Sequence, residues 1–182
     1  MKRVLVTGVG STLGQAVIAH LKKDQNCTVV TAGRRNEDLH LDLRVAPDFR
    51  HLVDQAQPHL ILHFAATFSN EFDEAYAVNV EATRQLLEAA QSAISSPRIL
   101  LVGSAAEYGA VRPEENPIRE DHALNPVSIY GLSKAWQTQL AMLYASRGVD
   151  VIVARLFNLR GPGLSERLFL GRVQRQIQEV QE

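Results

Sequence analysis

The sequence has one cysteine, Cys27, in 182 residues, so an internal disulfide is excluded. A scaffold stapled by disulfides is excluded with it, and a reducing cytosol fits. Charge of neither sign is in excess. Nineteen Lys and Arg stand against twenty Asp and Glu, a formal net charge of -1. No basic field is present to attract nucleic acid or an anionic membrane surface. No apolar run approaches the ~20 residues that cross a bilayer. Lys2 and Arg3 precede only a short apolar stretch and then glycines, so no secretory leader is read and a cytoplasmic location is expected. Internal repeats and low-complexity tracts are lacking, and no metal site is expected. What remains is an ordinary globular composition, 46% hydrophobic and 21% charged, long enough for one domain with a real core.

Short apolar runs alternate with helical patterns. Val4-Leu5-Val6, Thr28-Val29-Val30, Leu60-Ile61-Leu62, Ile99 to Val102 and Val151 to Ala154 read as buried strands, with Leu39-His40-Leu41 as a short further one. Leu13, Val17 and Leu21 recur at helical spacing. A long helix over 74–93 carries Ala75, Val78, Ala82, Leu86, Ala89 and Ala93 on one stripe. Another over 128–146 is marked by Leu132, Trp136, Leu140 and Leu143. Uninterrupted apolar strands between helices predict an α/β fold, a doubly wound Rossmann-like parallel sheet with helices on both faces. Ligands then sit beyond the carboxyl ends of the strands. The stretch from Tyr108 to Val127, with Pro113, Pro117 and Pro126, reads as a long excursion before the second long helix.

Val6 to Gly14 reads VTGVGSTLG, a strand running into a glycine-studded turn. Gly8, Gly10 and Gly14 fit a phosphate cradle, where backbone must approach a pyrophosphate and a helix N-terminus offers N–H groups. Their spacing is not the strict G-x-G-x-x-G, and alone the turn serves a purely structural reading equally well. About 20 residues on, the second strand ends in Ala32-Gly33-Arg34-Arg35. No acidic residue stands at that tip to take a ribose 2′-hydroxyl. Arg34 and Arg35 suit a 2′-phosphate by charge and geometry. The alternative is a solvated basic turn, and Glu37 and Asp38 lie close by. NADP is therefore the expected cofactor, with NAD possible.

Tyr130 and Lys134 are four apart on the second long helix and share a face. A free phenol has a pKa of about 10, and an adjacent ammonium stabilises the phenolate. Tyr130 then exchanges a proton with an alcohol or ketone while hydride moves. Ser104, just past its strand, is placed to bond the same oxygen. A Tyr-x-x-x-Lys pair alone is an ordinary helix surface; beside the glycine turn and Ser104 it is specific.

Together these residues resemble the extended short-chain dehydrogenase/reductase family, the nucleotide-sugar epimerases, dehydratases and reductases. The resemblance runs through Thr7-Gly8 to Gly14, Leu41-Asp42-Leu43, His63 to Ala66, Asn79-Val80, Ser104 with Tyr108-Gly109, Tyr130 with Lys134, and Arg155 to Asn158 with Gly161-Pro162-Gly163. It implies a cofactor contact set of Thr7, Gly8, Gly10, Ser11, Thr12, Leu13, Gly14, Arg34, Arg35, Asp42, Leu43, Ala65, Ala66, Asn79, Tyr130, Lys134 and Leu156. By that resemblance Asp42 and Leu43 meet the adenine, Lys134 holds the nicotinamide ribose, and Ser104, Tyr130 and Lys134 are catalytic. Ser104, Ala105 and Asn158 meet a nucleotide-sugar substrate. His63 is read as structural, and Asn79 has a second reading as a polar residue bonding a neighbouring loop.

Two departures from the family pattern matter. Ser11 stands at the middle glycine of the turn, where its side chain either crowds the pyrophosphate or bonds it. Ala105 and Ala106 stand where the 4,6-dehydratases carry an Asp-Glu pair, which argues against a dehydratase. The segments VGSAAEYG, IYGLSK and RLFNLRGPG look most like the GDP-4-keto-6-deoxymannose reductase branch, so a reductase is favoured over an epimerase that shares the same residues. A non-catalytic NADP-binding regulatory module is the other alternative. The resemblance further implies a homodimer through the two long helices. Residues 1–164 are expected to form the NAD(P)-binding domain. Residues 165–182 begin a C-terminal substrate region, with Ser165 as a helix cap and Leu168, Val173 and Ile177 as its apolar side. Most of that substrate lobe is read as missing.

Overall fold

The computed structural model describes residues 1–45, 47–159, 166 and 169–181. Six strands form one parallel sheet: β1 (Lys2–Thr7), β2 (Cys27–Gly33), β3 (Leu39–His40), β4 (Leu60–His63), β5 (Arg98–Ser104) and β6 (Val151–Leu156). Their order across the sheet is β3-β2-β1-β4-β5-β6. This is the doubly wound arrangement, and its direction of winding reverses between β1 and β4.

Alternation along each strand feeds two cores. Val4 and Val6 of β1 point to the face covered by α1 (Thr12–Leu21), where they meet Ile18 and Leu62. Leu5 points the other way, into a larger cluster with Phe49, Ile61, Leu86, Ile99 and Leu101. That face is covered by α2 (Phe49–Ala56), by the long helix that follows β4, and by α5 (Ile129–Ala145). Helices therefore lie on both faces, as the unbroken apolar strands require.

The sequence reading passed over α2. Its signals were present. Asp48 caps it, accepting from the His51 N–H at 2.9 Å. Phe49, Leu52, Val53 and Ala56 recur at helical spacing and are all buried. Only eight residues carry the pattern, too few to stand out against the loop around them.

The long helix after β4 keeps its predicted stripe buried, Ala75 through Ala93. It is not uniform, however. A helical turn α3 (Phe72–Ala75) passes into a π-helical stretch, Tyr76–Glu81, and then into α4 (Ala82–Ser92). The wider turn sits at Asn79, whose side chain points inward.

The helix marked by Leu132, Trp136, Leu140 and Leu143 is present as α5, and Leu140 packs on the larger core. Its buried side consists of Gly131, Ser133, Lys134, Ala135, Gln137, Thr138, Ala141 and Tyr144. Leu143 is exposed, and Leu132 and Trp136 are half-buried. The inner face is polar because its side chains bond one another and the neighbouring elements. A helix α6 (Phe169–Gln181) closes the described chain. On it Val173 is half-buried and Ile177 exposed. Arg160, Gly161, Pro162, Gly163, Ser165 and Leu168 lie outside the described residues.

Candidate active site

Parallel strands put all their carboxyl ends on one edge. Thr7 is in register with Ala32 and His63, and Ser104 with Leu156. The reversal of winding between β1 and β4 opens a crevice on that edge. Gly8 and Ala65 flank it.

Gly8 has φ +70, and a Cβ there would lie 2.4 Å from the Ala65 nitrogen. Only glycine meets both conditions. A Cβ on Gly14 would lie 2.5 Å from the Gly8 carbonyl oxygen, so α1 leaves the turn close against it. Gly10 differs: it is exposed, and a Cβ there would meet no protein atom within 4 Å. Packing does not demand glycine at Gly10. An anionic group approaching the backbone beside a helix N-terminus does. The cradle therefore fits a dinucleotide pyrophosphate. Thr12 and Leu13, both half-buried, form the first turn of α1.

Ser11 has a role inside the turn itself. Its hydroxyl donates to the Gly8 carbonyl at 2.8 Å and accepts from the Gly14 N–H at 3.0 Å. It is the N-cap of α1, held inside the turn.

The tip of β2 corrects the sequence reading. An acidic group does stand there. Glu37 folds back so that its carboxyl carbon lies 2.6 Å from where a Gly33 Cβ would be, and it accepts from the Arg35 N–H at 2.6 Å. Asp38 is occupied elsewhere, accepting from the Thr31 N–H and hydroxyl, both at 2.8 Å. Arg34 and Arg35 are exposed. The Arg44 guanidinium beside Asp42, 2.8 Å away, holds its carboxyl well below the usual carboxylate range, with Arg34 adding to the effect. Asp42 also borders a cavity of about 720 Å³ beside β3, shared with His40, Asp48 and His51.

Ser104 and Tyr130 come together as expected. The Ser104 hydroxyl lies beside the Tyr130 phenol and draws its titration down, while accepting from the Ala106 N–H at 3.2 Å. Ser128 caps α5 directly before Tyr130, accepting from the Gly131 N–H at 3.0 Å. Phe68 packs on the Tyr130 ring, centroids 5.1 Å apart. The direction of the phenol's shift is the reverse of the one expected. Burial raises it, and the Ser104 bond only partly offsets that. Lys134 is engaged elsewhere: its ammonium donates to the Val102 carbonyl at 2.5 Å and to Gln137. Burial lowers Lys134 to about 8, against an upward pull from Glu107.

Several expected contact residues also support the strand tips. Thr7 exposes no surface; its hydroxyl bonds His63 Nδ1 at 2.9 Å and accepts from the Ala65 N–H at 3.3 Å. His63 is buried, lowered to about 3 by burial, and stacks edge-on with Phe49. It is structural, as read. Asn79 bonds both backbone groups of Thr67, each at 3.0 Å, and donates to the Ser133 hydroxyl at 2.9 Å. It holds the loop after β4, as its second reading expected, and is 1% exposed. Leu43 packs into the larger core, while Asp42 beside it is half-buried. Ala66 and Asn158 are exposed at the crevice edge of β4 and past β6, while Ala65, Ala105 and Leu156 are half-buried.

Sequence reasoning missed Glu107, Arg155, Gln137 and Thr138. One signal was available. Ser104 and Glu107 have the spacing of a capping box, and that box is formed, with Glu107 accepting from the Ser104 N–H at 2.7 Å.

Residues 4–182 match the NAD dependent epimerase/dehydratase family. The chain belongs to that family. Among curated relatives, D-erythronate dehydrogenase of Cupriavidus necator is 40% identical over 101 residues, 53% of this chain and 31% of its own. GDP-6-deoxy-D-mannose reductase of Pseudomonas aeruginosa is 27% identical over 187 residues, all of this chain and 60% of its own. Among solved structures, UDP-glucuronic acid 4-epimerase of Bacillus cereus, in complex with NAD, superposes with a TM-score of 0.83 at 21% identity, over 97% of this chain and 63% of that one. RMD from Pseudomonas aeruginosa, complexed with NADPH, gives 0.81 at 24% identity, over 97% and 59%. This chain thus spans less than two thirds of each of these relatives. The family's description names NAD, and the two solved structures were determined with NAD and with NADPH.

Proposed function

We propose that this chain holds NAD(P)(H) at the β1–β4 crevice and supplies the proton donor of a nucleotide-sugar oxidoreductase that reduces a 4-keto-6-deoxy sugar nucleotide. The observation that carries this reading is the meeting of Ser104, at the carboxyl end of β5, with Tyr130, in the first turn of α5, on the edge where the crevice opens. The Tyr130 phenol is a proton donor at neutral pH, and a proton is what a ketone needs as it becomes an alcohol. An epimerase uses the same phenol, so the choice of a reductase rests on the resemblance of the segments around it.

Gly8, Gly10 and the first turn of α1 would hold the pyrophosphate, with Arg34, Glu37 and Asp42 toward the adenosine end. The reduced cofactor, when bound, supplies the hydride. Tyr130 delivers its proton to the oxygen that becomes the hydroxyl. Ser104 orients that oxygen and the phenol together. Lys134 is a fixed cation behind Tyr130, charged at neutral pH because its shifted value of about 8 still lies above it. Asn158, exposed past β6, faces the sugar nucleotide. Association into a homodimer through the α3–α4 and α5 helices belongs to the same proposal. Phe72, Tyr76, Met142 and Leu143 on those helices are exposed apolar surface.

The test uses the protein encoded by the whole gene, a panel of 4-keto-6-deoxy sugar nucleotides and either reduced cofactor. A reductase consumes one reduced cofactor per sugar. Sugar interconversion without net cofactor oxidation would establish the epimerase instead. Cofactor binding with neither reaction would establish a regulatory module.

A further inference from the structure

Glu107 exposes no surface, yet it carries a carboxylate. All of its partners belong to the walls around Ser104. One oxygen accepts from the Ser104 N–H at 2.7 Å. The other accepts from the Thr138 hydroxyl of α5 at 2.7 Å and from the Arg155 Nε of β6 at 3.1 Å. Arg155 continues outward. It donates to the Tyr108 hydroxyl and to the Glu120 carbonyl, each at 2.9 Å, and its guanidinium lies 5.2 Å from the Tyr108 ring centroid.

Packing alone gives no reason for this arrangement. A buried ion pair is often matched or bettered in stability by apolar side chains of the same volume. The backbone also leaves little choice of route. A Cβ on Gly103 would lie 2.6 Å from a Glu107 oxygen, so the strand residue before Ser104 is glycine to let the carboxylate reach in. Gly109 has φ +71, and a Cβ there would lie 1.8 Å from the Asn125 carbonyl oxygen, so the excursion returns to the same turn. The turn is thus clamped from the strand side, the helix side and the excursion side at once.

We propose that Glu107 is the positioning residue of this site. Its carboxylate fixes the turn on which Ser104 meets Tyr130, and through Arg155 it ties that turn to the Glu120 segment. The proposal rests on the reading of Tyr130 and Ser104 given above. The charged and titratable groups around Glu107 are Arg155 from β6, Lys134 from α5, and Tyr108 and Tyr130; His122 packs edge-on against Tyr108 at 5.8 Å. Among these, the negative charge acts on both members of the Tyr–Lys pair, holding the proton on each.

The test titrates the Tyr130 phenol by its near-ultraviolet absorbance, as the difference from a Tyr130→Phe chain. It compares the unmodified chain with Glu107→Gln and Arg155→Gln, with thermal melting as the check on folding. In Glu107→Gln the phenol is expected to hold its proton about tenfold less tightly. Amide exchange is expected to speed up at Ser104 and around Glu120 together. In Arg155→Gln, where the compensating cation is gone, the phenol is expected to hold its proton more tightly. An unchanged titration in a folded Glu107→Gln chain overturns the proposal. If that variant does not fold, an unchanged or weakened hold in Arg155→Gln overturns it. Neither result depends on turnover, so a failure of the reductase reading appears in the sugar assay and not here.

Discussion

Burial sets the titration of two side chains at the site's base, in windows that can be separated. His63 falls to about 3 in the folded chain from an ordinary 6.5. The unfolded chain then binds the extra proton between those values. Stability is full above pH 6.5 and is lost as pH falls toward 3, by up to about 1.4 kcal/mol per pH unit. Urea unfolding of a His63→Gln chain is expected to show a flatter acid slope than the unmodified chain in that window. Lys134 falls to about 8 from 10.5. Here too the unfolded state holds the extra proton, so the burial cost is full below pH 8 and is relieved as pH rises to 10.5. A Lys134→Met chain is expected to lose this alkaline gain. Neither shift was readable beforehand. His63 and Lys134 stand out as residue types at certain spacings, but what their nitrogens meet depends on strands and helices distant in sequence. The Lys134 partners show this: Val102 is on β5 and bonds it only because α5 packs there.

The turns at the strand tips decide how a cofactor is met. Ser11 caps α1 from the place where the family pattern has glycine. Ser11→Ala is expected to cost about 1 kcal/mol in unfolding experiments, and Ser11→Gly only a few tenths. A hydroxyl so engaged leaves the cradle's open side at Gly10, and Ser11→Gly is expected to leave cofactor affinity little changed. In the proposed function the β2–β3 turn would set the choice between cofactors. Glu37, seated over Gly33, would favour a ribose diol over a 2′-phosphate, and Arg34 and Arg35 the reverse. Glu37→Gln is expected to shift relative affinity toward NADPH over NADH by about tenfold, measured by calorimetric titration of both. Arg34→Ala is expected to shift it the opposite way. Sequence alone showed the arginines and the nearby Glu37 but not its return over the strand tip, because a side chain four residues past a strand end folds back only when glycine leaves room for it.

At the scale of the molecule, strand periodicity carried most of the fold. Each buried strand read from the sequence is present, even the two-residue β3. Parallel pairing followed from the lack of polar alternation. The helix α5 was legible, but not its inner face, which is partly polar. Ala141, Tyr144 and Leu140 pack on the apolar sheet face, while the residues before them meet polar groups. Ser133, Lys134, Gln137 and Thr138 of α5 bond the π-helical stretch, the end of β5, α4 and the turn of Ser104. A departure from the hydrophobic rule of this kind is expected where a chain is shaped for chemistry as well as for packing. Among the described residues no helix is long and apolar enough to cross a membrane.

The central claim is that Tyr130 gives a proton to a ketone while cofactor binds independently of it. The measurement that tests it most directly is turnover by the whole gene product and its Tyr130→Phe variant, with cofactor affinity measured beside it. The account predicts a loss of turnover of about 10²–10⁴-fold, with affinity for the reduced cofactor unchanged. Turnover kept within a fewfold in Tyr130→Phe, with the cofactor still bound, would contradict it.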